Sequence, residues 1–136
     1  MRMKLNMFIV IFGLSLILVA CGGGSGPSTN LKLSMTDFMF EPTDFTIPAG
    51  QEITMEISNF GAVVHEYVVF KYGTDAGSSF GDDDLDNIYW EVEVQPGDTV
   101  TETFMSPSEP GEYFVTCGIA GHLQAGMVGK LIVVAP

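Results

Sequence analysis

Residues 112–134 read EYFVTCGIAGHLQAGMVGKLIVV. Glu112 to Cys117 and Lys130 to Val134 are apolar, β-branched runs of strand length. Between Cys117 and Met127 lies a nine-residue loop with glycines at 118, 121 and 126. Those glycines let the backbone turn tightly. A thiol, an imidazole (His122) and a thioether therefore share one connection between two strands.

The same strand-and-turn rhythm extends upstream. Leu31 to Phe40 alternates, with Leu31, Leu33 and Met35 apolar and Lys32, Ser34 and Thr36 polar between them. Gln51 to Ser58 alternates again, placing Ile53, Met55 and Ile57 on one face. Val63 to Phe70 reads as a buried strand and Thr99 to Met105 as another. Turns fall at Pro48-Ala49-Gly50, Gln95-Pro96-Gly97-Asp98 and Pro107 to Gly111. Nothing downstream of residue 20 has a helical period. The expectation is an all-β antiparallel sandwich of roughly seven or eight strands. The polar, acidic segment Tyr72 to Ile88 breaks the rhythm and reads as a long loop.

The N-terminus is of another kind. Arg2 and Lys4 precede an apolar run, Leu5 to Ala20, too short to span a membrane comfortably. Its end, Leu18-Val19-Ala20-Cys21, resembles the bacterial lipobox. The resemblance implies cleavage before Cys21 and lipidation of its thiol. The expected organisation is a lipoprotein signal peptide at 1–20, a lipidated cysteine with a Gly/Ser-rich tether at 21–30, and one domain at 31–136. Such a protein is exported and anchored, on the outer face of the cytoplasmic membrane or in the periplasm. With Cys21 used for lipid, Cys117 has no disulfide partner. An unpaired cysteine in an exported protein is a reactive thiol, an intermolecular link or a metal ligand.

The formal net charge is -12, with 17 acidic residues against 5 lysines and arginines. Such a surface is repelled by phosphate backbones, which argues against nucleic acid as a partner. It attracts cations and basic proteins.

Only one histidine besides His122 exists, at position 65, near the start of the buried strand. Each candidate has an ordinary structural explanation when taken alone. The joint pattern is different: Cys-x4-His-x4-Met between two strands, with a histidine some fifty residues upstream. Soft sulfur donors favour copper, and two histidines, a cysteine and a weak axial methionine make a blue-copper ligand set. His65, Cys117, His122 and Met127 are therefore the expected ligands of one copper ion. Met35, Met39, Met55 and Met105 are assigned to core or surface.

These features resemble the cupredoxins, small blue copper proteins of the plastocyanin, azurin, rusticyanin and sulfocyanin kind. The resemblance covers residues 31–136: FEPTDFTIPAGQEITMEISNFG, the histidine in VVHEYVV, and the closing EPGEYFVTCGIAGHLQAGMVGKLIVV. The loop spacing is nearer to rusticyanin and sulfocyanin than to plastocyanin. The family implies a Greek-key β-sandwich with copper near one end. It also implies an electron path through the ring edge of His122, with an apolar docking patch of Leu123, Ala120 and Gly61 around it. The run Asp82, Asp83, Asp84 and Asp86 is a candidate for steering a basic partner. Many relatives brace the site with asparagine after the first histidine and serine or threonine after the cysteine. Here Glu66 and Gly118 stand in those places, so another arrangement must hold the loops.

The expected function is a monomeric single-electron carrier at a membrane, serving a c-type cytochrome, a quinol-oxidising complex or a terminal oxidase. Four protein ligands leave no open position for substrate, which argues against an enzyme. The alternatives are a copper storage or delivery module, and a copper-free adhesion or sensory sandwich.

Overall fold

The computed structural model describes residues 26–136. The expected signal peptide, the lipidation at Cys21 and the start of the tether lie outside these described residues. Among the described residues, nine strands form two packed sheets. They are β1 (Asn30–Thr36), β2 (Met39–Glu41), β3 (Asp44–Pro48), β4 (Glu52–Asn59), β5 (His65–Phe70), β6 (Ile88–Val94), β7 (Thr99–Met105), β8 (Gly111–Thr116) and β9 (Val128–Val134). A short 3-10 helix, Asp82–Asn87, precedes β6. No helix among the described residues is long and apolar enough to cross a membrane.

One sheet has the order β2-β1-β4-β7, the other β3-β9-β8-β5-β6. The connections β2–β3, β3–β4, β4–β5, β6–β7 and β7–β8 all cross between the sheets. This is the Greek-key sandwich the sequence led us to expect, with two differences. There are nine strands, because Asp44–Pro48 and Ile88–Val94 also pair. The pairing is also mixed: β1–β4 and β3–β9 run parallel. A chain that visits the other sheet between two neighbours can re-enter its sheet from the same end, which alternation in sequence does not reveal.

The inner faces are those the period of two indicates. Leu31, Leu33 and Met35 of β1 and Ile53, Met55 and Ile57 of β4 are buried against Val115, Leu131 and Val133 of the facing sheet. Met39 and Met105 lie at the surface. The expected strand 31–40 is split by a tight turn at Asp37–Phe38, where Phe38 takes φ of 65°. Strand β5, between β8 and the edge strand β6, is buried on both faces. His65, Tyr67 and Val69 face the other sheet. Val68 and Phe70 face outward and are covered by Ala76, Phe80, Ile88, Phe114 and Leu123. The acidic loop therefore has a structural role: its apolar members cap the outer face of β5 while its aspartates stay in solvent.

Candidate metal centre

The centre sits at the end of the sandwich where β5 begins and β8 ends. Val68 of β5 pairs with Thr116 of β8, so the next residue, Cys117, arrives beside Glu66 and His65. The loop after Cys117 folds back on itself. His122 N–H donates to Ile119 O at 3.0 Å, Ala125 N–H to Gly121 O at 3.0 Å, and Met127 N–H to His122 O at 3.0 Å. Cys117 N–H donates to Met127 O at 3.1 Å, continuing the β8–β9 ladder. Gly121 (φ 87°) and Gly126 (φ 94°) occupy backbone conformations that other residues resist. Gly118 has a different reason to be glycine. A Cβ there would overlap the Glu66 carboxylate.

Three donors converge. His65 Nδ1 and His122 Nδ1 are 3.2 Å apart. Cys117 Sγ lies 3.2 Å from His122 Nδ1 and 3.9 Å from His65 Nδ1. Metal–imidazole and metal–thiolate bonds of about 2.0 and 2.3 Å put the donors of a trigonal plane roughly 3.5–3.7 Å apart. The observed separations bracket that range, so the residues fit one ion. Met127 is fully buried, with its backbone tied to both Cys117 and His122. His65 and Cys117 are also fully buried, whereas His122 retains 7% exposure.

Burial pushes the Cys117 thiol up, against the lowering effect of N–H groups of Glu66 and Ile119. The Glu66 N–H lies 3.4 Å from Sγ. Burial, and secondarily His65, lowers His122, so it stays a neutral donor. Glu66 is raised by burial and by the acids Glu91 and Glu93.

Asn59 and Asp37 brace the connection that leads into His65. Buried Asn59 donates from Nδ2 to Val63 O and Val94 O, both at 2.9 Å, and accepts from Gly61 N–H at 2.9 Å. Asp37 Oδ1 accepts from Ala62 N–H at 3.0 Å. Neither residue stands out in the sequence, because each acts on a loop distant in the chain or through a local turn. Phe38 was equally inconspicuous. Its exposed ring meets His122 edge-on, with centroids 5.1 Å apart.

The residues expected to form a docking surface are not all together. Ala120 is exposed, whereas Leu123 is half-buried against the cover of β5. Gly61 is half-buried among Asp37, Asn59 and His65. Asp82, Asp83, Asp84 and Asp86 belong to the 3-10 helix that leads into β6 beside Phe70, at the far end of β5 from His65. Among exposed apolar side chains, Phe38 lies against His122, and Phe60 and Val63 sit on the β4–β5 connection that leads to His65.

A buried pair of histidines, a cysteine and an adjoining methionine at one end of a two-sheet sandwich define a type 1 copper protein. Residues 8–133 match the family described as "Cupredoxin-like domain". The chain belongs to the cupredoxin family. It is 31% identical to auracyanin-A of Chloroflexus aurantiacus, over 98% of this chain and 99% of that one. It is 26% identical to the copper-resistant cuproprotein CopI of Rubrivivax gelatinosus, over 82% of this chain and 70% of that one. The structure of dithionite-reduced auracyanin from the photosynthetic bacterium Roseiflexus castenholzii superimposes with a TM-score of 0.69 at 28% identity. That match covers 80% of this chain and 99% of the other.

Proposed function

We propose that this chain is a single-electron carrier, tethered through a lipid on Cys21 to a membrane surface outside the cytoplasm. When bound, copper supplies one-electron Cu(II)/Cu(I) chemistry. The observation that carries the reading is the burial gradient of the ligands: His65, Cys117 and Met127 are sealed, and His122 alone reaches the surface. Four protein ligands, three of them sealed, leave no open position for substrate and resist rearrangement. His122 offers the shortest covalent route to a partner, and Phe38, Phe60 and Ala120 supply an apolar face beside it.

One electron enters from a reduced donor and one leaves to an oxidised acceptor. A c-type cytochrome, a quinol-oxidising complex or a terminal oxidase fits either role. The aspartates at 82, 83, 84 and 86 act through their field rather than by contact with that face. Asparagine at all four positions should flatten the salt dependence of association with a cationic partner while leaving the high-salt rate unchanged. An unaltered salt dependence refutes steering by this run.

A storage or delivery role is the second reading, favoured by the similarity to a copper-resistance protein. Two measurements separate the readings. Cu(II) added to the purified protein should give an intense visible thiolate-to-copper band that Cys117→Ser abolishes. Bound copper should then exchange slowly with a chelator while electrons exchange fast. Copper without the band, released readily, favours delivery; absence of copper binding defeats both.

A further inference from the structure

The imidazole of His65 has two ends. Its Nδ1 faces Cys117 Sγ and His122 Nδ1, so with Nδ1 on the metal Nε2 would carry the ring proton. Nε2 is wholly buried and makes no well-aligned hydrogen bond within the described residues. One acceptor stands near it: Asp37 Oδ1, at 3.4 Å and off-line. Asp37 belongs to the other sheet, in the tight turn between β1 and β2. Its carboxylate is not adrift there, because the same Oδ1 accepts the Ala62 N–H. The sequence makes room for this approach at Gly61. A Cβ on Gly61 would stand 2.6 Å from Asp37 Oδ1, 2.7 Å from His65 Nε2 and 3.1 Å from Asn59 Oδ1. A glycine without positive φ, at the point where three polar atoms converge, is there for space.

We infer that Asp37 is the positioning residue of the copper centre: its carboxylate orients the His65 imidazole and biases the site toward the oxidised ion. A carboxylate behind a ligating histidine fixes the ring and raises its basicity. It also places a negative charge about one imidazole away from the metal, favouring the more highly charged state. This task falls to Asp37 because the residue after His65 is Glu66, whose carboxylate points to Gly118 and not to the ring. The inference rests on the copper centre, and not on the electron-carrier reading of it.

The test compares wild type with Asp37→Asn, which keeps an oxygen for Ala62 N–H and removes the charge. Cu(II) affinity should fall about 10- to 100-fold. Cu(I) affinity should fall less, and each tenfold change in their ratio raises the reduction potential by about 59 mV. A structural role alone would alter stability without moving the potential. If Asp37→Asn binds copper at an unchanged potential, the inference is overturned while the copper centre stands. A chain that binds no copper would overturn both. Should Asp37→Asn not fold, nitrogen NMR of the zinc-loaded wild-type protein decides. The His65 Nε2 proton should be protected from solvent exchange and shifted by a carboxylate acceptor. An Nε2 proton with neither property refutes the assignment.

Discussion

Replacing Gly118 by alanine should destabilise the protein by about 1–2 kcal/mol, and removing the Glu66 side chain should erase most of that loss. The backbone of Gly118 lies outside the left-handed region, so alanine meets no dihedral penalty there. The difficulty is space. The new Cβ would overlap Glu66 Oε2 and approach Val68 Cγ2 to 3.2 Å. The Glu66 backbone cannot retreat easily, since it pairs with Glu93 and directs its N–H at Cys117 Sγ. Its side chain must rotate instead, at roughly 0.5–1.5 kcal/mol for an unfavourable rotamer. The tight Val68 contact brings the sum into the usual range for overpacking, about 1–3 kcal/mol. At about 4 °C per kcal/mol, Tm should drop by about 4–8 °C. The assay is urea unfolding of the metal-free protein in a double-mutant cycle of Gly118→Ala and Glu66→Ala. A coupling energy of about 1 kcal/mol is expected. Additivity within about 0.3–0.5 kcal/mol would refute the argument that Gly118 is glycine because of Glu66.

The remaining predictions concern the ligands and their surroundings. Because burial raises the Cys117 thiol, copper uptake must expel a proton. Apparent affinity should rise up to about tenfold per pH unit from pH 7 to 8 in a competition titration, and a flat profile would show the thiolate is already formed. Glu66 has a folded-state pKa raised above its unfolded value. Its contribution to stability is present below pH 4.5 and lost as pH climbs through the raised value. Glu66→Gln should therefore stabilise the protein at pH 7, by about 0.5 kcal/mol given the like-charged Glu93 opposite. Equal stabilities of the two proteins at pH 7 would contradict it. Met127→Leu should fold with a loss under about 1.5 kcal/mol, because the volumes match in a buried site. It should raise the reduction potential by removing a donor from Cu(II); a lowered potential in voltammetry would show Met127 is no ligand.

The ligands were legible because the information is local. Cys117, His122 and Met127 lie on one connection, and only one other histidine was available. The strands of the core were legible for a similar reason, since β1 and β4 advertise their inner faces every second residue. β6 carried a comparable alternation, with Tyr89, Glu91 and Glu93 outward, but it follows directly on an acidic loop that masks its start. Parallel pairing left no trace, because it depends on where the chain goes between two strands. Asp37, Phe38 and Asn59 were illegible as site residues for the same reason. Their importance arises where the β1–β2 turn and the β4–β5 loop meet, and no spacing within either segment encodes that meeting. Gly118 was read as a turn glycine. Its conformation is ordinary, and only the position of Glu66 explains it.

The loop from Cys117 to Met127 closes on its own hydrogen bonds and is clamped at the base by the paired residues Thr116 and Val128. Such a unit behaves as a cartridge. Its length and sequence can change without disturbing the register of β8 and β9, so long as the base is kept. A related loop of different ligand spacing, inserted between Thr116 and Val128, inherits the same histidine at 65 and the same two sheets. Evolution can then retune the metal's chemistry by exchanging the eleven residues from Cys117 to Met127, provided the new loop keeps the space beside Glu66.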